Sequence, residues 1–262
     1  MTRVRTAEMT WRAIEAARDR GAAVLVPMGS SEEHGPHSPT GDYLITDTVT
    51  ERVAQTTGDL MTPTLPFSYS EYFRHYPGTL TVQGSTLQAV LRDIVYGLLD
   101  QGFRHIILFN GHTGNGPILQ PLLREFRRER GIIVPAVNTL GFAQLPALMK
   151  ELYGDNPIGH GGEPVGSMMS YLHPELVQID QAEDWGSGPF LGHPAASLNG
   201  INFQGRQVLM AINMGDIAPA SGSLSDPLLA SKERGERLVT TAIEGLIDFV
   251  RWFKTVDPTV AP

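Results

Sequence analysis

The chain has 262 residues and no cysteine, and its 28 acidic residues outnumber its 20 basic ones, which gives a formal net charge of −8. This length suits one large α/β domain or two small ones, and it buries a sizeable core. The absence of cysteine excludes disulfides, thiolate nucleophiles and iron–sulfur clusters. An acidic balance without a stripe of Lys and Arg argues against a nucleic-acid partner. Any metal must therefore be held by His, Asp, Glu, backbone or water.

The sequence also bears on domain number and location. No segment reaches the ~18 consecutive apolar residues that indicate a membrane span. Residues 1–21 predict an amphipathic helix and lack the apolar centre and cleavage site of a signal peptide. No internal repeat, low-complexity tract or linker interrupts the chain. We therefore expect a single domain over residues 1–262, in the cytoplasm and without a membrane partner.

Short apolar runs alternate with segments of helical spacing along the chain. Strands are predicted at 22–28, 104–109, 132–137 and 208–212. Helices are predicted at 86–101, between Ser85 as N-cap and Gly102, at 117–130, and at 227–253. Apolar strands separated by helices predict an α/β fold with a mostly parallel sheet covered on both faces. Ligands of such sheets gather beyond the carboxyl ends of the strands.

The loop after the first predicted strand, residues 29–42, has the sequence GSSEEHGPHSPTGD. Its glycines and prolines make it stiff and sharply turned. Glu32 and His34 are two residues apart, so in an extended segment they point to the same side. Asp42 follows a turn from which the chain can fold back toward them. Imidazole and carboxylate without sulfur are ligands of a hard or borderline metal.

Two further glycine-rich loops carry residues of the same kinds. His112 lies in NGHTGN, directly after the second strong strand, and reaches the same edge if the two strands are parallel neighbours. His160 and Glu163 share GHGGE, whose glycines let the backbone approach closely. A single loop histidine is usually solvated or capping. Three such loops together favour a catalytic metal site.

Five candidate ligands exceed the three that a single catalytic zinc with an open position takes from a protein. They are Glu32, His34, Asp42, His112 and Glu163. They fit two divalent ions (Zn, Mn or Fe) about 3.5 Å apart that share a carboxylate, for which Asp42 is suited, and a hydroxide. The bridging hydroxide would attack a polarised carbonyl carbon, and His160 is the candidate proton donor for the leaving nitrogen. His37 is expected to orient the ligands without touching the metals.

These motifs resemble those of the creatininase, or creatinine amidohydrolase, family over nearly the whole chain. GSSEEHGPH, with Asp42 after it, is similar to the family's Gly-Ser-x-Glu-x-His-Gly-Pro-His and following Asp. YPGT at 76–79 resembles Phe-Pro-Gly-Thr, and NGHTGN resembles Asn-Gly-His-Gly-Gly-Asn. HGGE at 160–163 resembles His-Ala-Gly-Glu, and residues 225–236 resemble the family's C-terminal Gly-Asp-Pro and Glu-Lys-Gly-Glu region. The first motif is highly specific.

The resemblance implies a three-layer α/β/α fold, two divalent metals per chain, and hydrolysis of ring or amide C–N bonds in a homo-oligomer, often a hexamer. It implies the same five metal ligands, with Asp42 bridging, and an acid/base role for His160. Ser70 occupies a place where the family often has a substrate-contacting serine. Thr113, in the NGHTGN motif, is expected to line the substrate pocket.

Two departures from the family pattern concern the substrate. The creatinine-cleaving branch resembles Asn-Gly-His-Tyr-Glu-Asn and takes its last metal ligand from that Glu, whereas this chain has Gly114 there. Glu163 must then supply the ligand. The family's Glu-Thr-Ser after His-Ala-Gly-Glu-x is Val165-Gly166-Ser167 here. The chain therefore looks closer to relatives that act on formamides, peptides or other cyclic amides.

The sequence thus predicts a metal-dependent amidohydrolase that cleaves a C–N bond of a small amide, formamide or cyclic amide. One alternative is a hydrolase on the same binuclear scaffold that acts on a C–C or C–O bond of a cyclic ketone or sugar-derived substrate. Another is a non-catalytic subunit that holds a structural metal. The open ligand set together with His160 argues against the second alternative, because a structural site needs no proton donor.

Overall fold

The computed structural model describes residues 3–261, and its centre is a four-stranded parallel sheet in the order β2-β1-β3-β4. The strands are β1 (Val24–Met28), β2 (Leu60–Met61), β3 (Ile106–Asn110) and β4 (Ala136–Asn138). Every residue of β1 and β3 is buried, as expected for strands covered on both faces. Met1, Thr2 and Pro262, which the predicted domain range includes, lie outside the described residues.

Helices cover both faces of this sheet. One face packs against α1 (Trp11–Asp19), α3 (Gly84–Asp100) and α4 (Gly116–Arg130). The other packs against α2 (Tyr43–Thr57), α5 (Thr139–Ala143), α6 (Pro146–Tyr153), α7 (Val165–Leu172) and α9 (Lys232–Phe253). Successive strand residues alternate between the two cores, with Leu25 in one and Val24 and Val26 in the other. The predicted three-layer α/β/α fold is confirmed.

The predicted helices form with shifted ends. α3 starts at Gly84 with Gln83 as N-cap, so Ser85 lies inside the helix and is not its cap. α4 ends at Arg130 and is capped by Gly131, whose left-handed backbone (φ 59°) suits glycine. α9 starts at Lys232 and not at 227, because Pro227–Leu229 form a separate 3-10 turn. The side chain of Ser231 accepts a hydrogen bond from the backbone of Arg234 and caps α9.

The predicted strand at 208–212 does not join the parallel sheet, and this part of the prediction is wrong. The chain forms a second, antiparallel sheet from β5 (Pro189–Phe190), β6 (His193–Ser197), β7 (Gly200–Phe203) and β8 (Arg206–Leu209), followed by α8 (Met214–Ile217). The reason is local. Gln204 and Gly205 both adopt positive φ and make a two-residue hairpin that pairs β8 with β7.

The order of the parallel strands decides where a ligand can bind. β1 and β3 are neighbours, with Met28 in register with Asn110, while the chain leaves β1 for β2 on the other side. The loops that follow β1 and β3 therefore emerge together at the carboxyl edge, at a point where the strand order reverses. Of the helices within residues 3–261, none combines the length and apolar character needed to cross a membrane.

Candidate metal centre

A cavity of about 280 Å³ opens beyond the carboxyl ends of β1 and β3. Three carboxylates and three imidazoles line it, namely Glu32, Asp42, Glu163, His34, His112 and His160. Lys and Arg are absent from its lining within the part of the chain that the structure describes. The site thus concentrates carboxylate and imidazole side chains without a Lys or Arg side chain in its wall.

Glu32, Asp42 and His112 form a close cluster in this cavity, with one donor atom from each lying within 4.8 Å of the others. The Nδ1 atom of His112 lies 3.2 Å from Glu32 Oε2 and 3.5 Å from Asp42 Oδ2. Its Nε2–H donates to the carbonyl of Tyr69 at 2.9 Å. Because a carbonyl can only accept, this bond fixes the tautomer and turns the Nδ1 lone pair toward the carboxylates.

The loop after β1 folds back on itself, as its sequence predicts. The backbone N–H of Glu32 donates to Thr40 O at 2.6 Å, and Ser31 bridges to Gly41. This return brings Asp42 to the start of α2, where its Oδ1 accepts a 2.5 Å hydrogen bond from the backbone N–H of Ser30. That bond leaves Oδ2 directed at His112.

His34 enters the cavity from the same loop and is almost fully buried. Its Nδ1 donates to the carbonyl of Glu32 at 3.2 Å, which leaves Nε2 as the free ring nitrogen. Nε2 lies 3.7 Å from Glu32 Oε1. His34 therefore has the orientation of a ligand held by a backbone carbonyl.

The His160 ring is stacked between Phe73 and His34, with ring centroids 4.2 and 4.5 Å away. Its Nε2 donates to the carbonyl of Glu33 at 2.6 Å and to Glu33 Oε1 at 3.0 Å. These bonds leave Nδ1 unprotonated in the neutral ring. A donor atom of His160 also lies within 4.8 Å of donor atoms of Glu32 and His34. Position alone therefore leaves both an acid/base role and a ligand role open for His160.

Glu163 lines the cavity immediately before α7 and is 1% exposed. Its Oε2 accepts a 2.5 Å hydrogen bond from the Tyr153 hydroxyl, and its Oε1 accepts a 2.7 Å hydrogen bond from the Ser167 hydroxyl. Among the described residues, Glu163 falls outside both of the tight three-residue groups around Glu32. It shares the lining of the cavity with the other four ligand candidates.

The remaining predicted site residues differ in position. Thr113 lines the cavity. Ser70 is fully buried behind Glu32, to whose Oε2 its hydroxyl donates at 2.6 Å, so the contact it makes is with a candidate ligand. His37 is 3% exposed, and its Nδ1 has no hydrogen-bond partner in the region described.

Four residues around the site were not assigned from the sequence: Glu33, Phe73, Tyr153 and Ser167. Glu33 stands inside the first motif, and a carboxylate between two candidate ligands was a usable signal. Phe73 belongs to an aromatic segment with no ligand chemistry. Tyr153 lies ten positions before Glu163, and only the fold brings the two together.

Burial and neighbouring charges move the pKa values of these groups in different directions. Burial raises the pKa of Asp42 and that of Glu163. Burial would also raise the pKa of Glu32, but the neighbouring His112 and His34 lower it well below its ordinary value. Burial lowers the pKa of His34. Asp42 and Glu163 are therefore harder to ionise than free carboxyl groups, whereas Glu32 ionises more readily.

Gly114 explains why a ligand cannot come from its position without rearrangement. A Cβ atom added there would lie only 2.4 Å from Nε2 of His112 and 3.0 Å from the carbonyl of Tyr69. Those two atoms make the hydrogen bond that orients His112. A side chain at this position would displace the imidazole, so the ligand set must draw on another loop.

The donor set fits divalent metal ions. Buried carboxylates are normally paired with cations or coordinate metals, and neither Lys nor Arg lines this cavity in residues 3–261. His34 and His112 each donate one ring N–H to a backbone carbonyl, which leaves the other nitrogen free. Carboxylate and imidazole together suit zinc, manganese and iron.

Comparisons with known proteins agree with this geometry. The family model for creatininase (creatinine amidohydrolase) matches residues 7–250. Creatinine amidohydrolase of Pseudomonas putida is 31% identical, covering 93% of this chain and 95% of that protein. 3-dehydro-scyllo-inosose hydrolase of Thermotoga maritima is 27% identical, covering 92% and 79%. A mutant creatininase in a zinc–zinc form superposes with a TM-score of 0.80 at 29% identity, covering 96% and 98%.

The layered fold and the acidic cavity at its carboxyl edge define an α/β protein with the donor set of a metal-dependent hydrolase. The chain belongs to the creatininase family. This match confirms the predicted family. It also confirms the predicted enzyme class, a hydrolase that acts on carbon–nitrogen bonds other than peptide bonds.

Proposed function

We propose that this protein is a binuclear metal amidohydrolase that cleaves a small amide, formamide or cyclic amide. The observation that carries the proposal is one cavity whose walls supply three carboxylates and three imidazoles and, among the described residues, neither Lys nor Arg. Its volume of about 280 Å³ lies at the lower end of ligand pockets, which favours a small substrate.

Two divalent ions, drawn from Zn, Mn and Fe, are expected per chain. Glu32, Asp42 and His112 would hold one ion, and His34 and Glu163 would hold the other with Asp42 shared between them. The tight Glu32–Asp42–His112 cluster supports the first assignment. The zinc–zinc form of a structurally similar creatininase supports the number two. When bound, such ions polarise a carbonyl and lower the pKa of a water molecule.

His160 would deliver the proton to the leaving nitrogen. Its Nε2 is committed to Glu33, so Nδ1 is the nitrogen left to exchange a proton with the substrate. Stacking between Phe73 and His34 holds the ring in place. Glu33 raises the pKa of His160 against the effect of burial, which favours the protonated form that an acid needs. Thr113 would form the polar part of the substrate wall.

Elemental analysis of protein purified without chelator tests the metal part of the proposal. We expect close to two divalent ions per chain. Occupancy of zero or one, even after reconstitution with Zn, Mn or Fe, would contradict the binuclear assignment. The same preparation, sized by light scattering, tests the expected homo-oligomer, which the family resemblance implies is often a hexamer.

Creatinine is expected to be a poor substrate. Gly114 removes the carboxylate that serves the creatinine-cleaving branch, and Val165 and Gly166 offer no side-chain groups to hydrogen-bond a small guanidine-like ring. A site that lacks the partners for a substrate's nitrogens discriminates against it strongly. Steady-state assays with the fully metallated enzyme test this. A creatinine kcat/KM of ~10⁴ M⁻¹s⁻¹ or above, in the usual enzyme range, would overturn it.

One alternative activity is favoured by a specific observation. The Thermotoga maritima relative is named as a hydrolase of 3-dehydro-scyllo-inosose, and this chain matches it over 92% of its own length. The alternative is therefore cleavage of a C–C or C–O bond in a cyclic ketone. A substrate panel with formamides, lactams and cyclic ketones separates the two, because turnover of only the ketones would exclude the amidohydrolase proposal.

A further inference from the structure

Glu163 differs from the other carboxylates of the cavity in how its two oxygens are held. Each oxygen accepts one hydroxyl, Oε2 from Tyr153 at 2.5 Å and Oε1 from Ser167 at 2.7 Å. All three side chains are buried, with exposed fractions of 3% or less. A carboxylate has about four lone-pair directions, so two remain after these bonds. Glu163 lines the cavity, so it can present a free lone pair there.

The direction of the bond from Ser167 is determined by its other partner. The backbone N–H of Ser231, the residue that caps α9, donates to the Ser167 hydroxyl oxygen at 3.0 Å. Because a backbone N–H can only donate, Ser167 accepts there and its own proton is free for Glu163. The start of α9 is thus linked through Ser167 to the carboxylate.

Tyr153 supplies the second bond from a different element. It is the last residue of α6, and its hydroxyl reaches Glu163, which lies near the end of the loop that connects α6 to α7. Two hydroxyls from two helices therefore fix both the position and the rotation of the carboxylate plane. A ligand held in this way loses little conformational entropy when it binds an ion.

This arrangement leaves the negative charge of Glu163 available to bind a metal ion. The nearby guanidinium of Arg234 stacks over the Tyr153 ring at 5.5 Å and donates to the carbonyl of Leu229. The hydrogen bonds that the structure describes for the Glu163 carboxylate come from the hydroxyls of Tyr153 and Ser167. Arg234 donates none of them and acts on Glu163 only through its charge. Neutral donors orient a carboxylate without replacing the cation that it would bind.

We propose that Tyr153 and Ser167 are positioning residues that hold Glu163 as the ligand of one of the two metal ions. This inference rests on the proposed function, because it takes Glu163 as a ligand. Under this inference, the hydroxyls of Tyr153 and Ser167 control the affinity of the protein for one ion, although neither residue is itself a candidate ligand. They act through Glu163 and not on the substrate.

Tyr153→Phe and Ser167→Ala test the inference, with Glu163→Gln as the reference and Tyr171→Phe as the matched control. Tyr171 lies on α7 beside α9, and Tyr171→Phe removes a hydroxyl without touching Glu163. The affinity of each ion is measured by competition with a chelator, alongside kcat and KM at limiting and excess metal. Circular dichroism checks that each variant is folded.

We expect Tyr153→Phe and Ser167→Ala each to lower the affinity for one ion by ~10–100-fold and to leave the affinity for the other unchanged. This is the usual effect of removing a group that orients a ligand. Excess metal should restore most of kcat with KM unaltered, and Tyr171→Phe should match the parent protein. If Glu163→Gln loses one ion while both hydroxyl variants bind as the parent does, the inference is wrong and the proposed function stands. If Glu163→Gln itself keeps both ions, the ligand assignment of the proposed function fails first. Should Tyr153→Phe not fold, the ion affinities of Ser167→Ala alone decide whether the inference holds.

Discussion

The two sheets of this molecule both contain part of an apolar run of the sequence, but they place it in opposite environments. β1 reads VLVPM and is buried throughout, with helices on both faces. β8 reads RQVL and is exposed throughout, and Leu209 at its end is 80% exposed. The antiparallel sheet has only a small core of its own, built on Ile201, Ile212 and Ile217. A short apolar run therefore predicts a strand, while coverage by helices decides whether that strand supports a site.

The two sheets also differ in whether they carry candidate metal ligands. The parallel sheet brings the ends of β1 and β3 side by side, and the candidate ligands lie in the loops beyond them. Within the described residues, the groups that could hold a metal ion all lie in that cavity and none involves the antiparallel sheet. Four predictions test the contrast.

The largest expected effect is on turnover at the parallel edge. His160→Ala should lower kcat by ~10²–10⁴-fold and leave both metals bound, because a proton donor acts in the transition state. The control is His193→Ala in β6, which removes an imidazole from the other sheet and should leave kcat near its parent value. Metal analysis accompanies the assays. Loss of an ion in His160→Ala would make this residue a ligand, as its distance to Glu32 and His34 also allows.

Much of the lining of this cavity could be predicted from the sequence because its candidate ligands cluster in motifs. Glu32, His34 and Asp42 share one loop, and the strands that carry this loop and His112 are strongly apolar. Parallel pairing then brings them together without further information. The contacts of Tyr153 and Ser70 could not be predicted in this way. The fold of the loop after α6 brings Tyr153 to Glu163, and packing between separate segments brings Ser70 to Glu32.

The prediction of strands from the sequence failed at two places, each for its own reason. β2 has only two residues and no periodicity to detect, yet it pairs with β1 in the sheet. The run at 208–212 looked like a buried strand because its residues are apolar, whereas the Gln204–Gly205 turn pairs its first half with β7. Local turn chemistry outweighed the apolar pattern there.

The second prediction concerns stability in the parallel sheet. Leu25→Ala should lower the free energy of unfolding by about 2–5 kcal/mol, because Leu25 is fully buried between β1 and the helices of one face. Chemical denaturation monitored by circular dichroism measures the loss. Should the variant not fold, Ile107→Val in β3 is expected to cost about 0.5–1.5 kcal/mol. Parent-like stability in both would contradict the assignment of this core.

The third prediction separates two residues of the loop after β1. Asp42→Ala should release more metal than His37→Ala, because a shared carboxylate contacts both ions. His37, whose Nδ1 makes no hydrogen bond in the described structure, would act only on orientation, with a loss of ~10–100-fold at most. Metal content after dialysis against a weak chelator compares the two. Equal retention would show that Asp42 is not the shared ligand.

The smallest effect is expected in the antiparallel sheet. Leu209→Ala should change the free energy of unfolding by no more than about 0.5 kcal/mol, because a side chain that is 80% exposed loses little contact when it is truncated. The measurement is the same denaturation used for Leu25→Ala, at several protein concentrations. A loss above about 1 kcal/mol that grows with concentration would show that Leu209 is covered by another copy of the chain, since subunit contacts make stability depend on concentration. The contrast between the two sheets would then hold for one chain alone and not for the expected homo-oligomer.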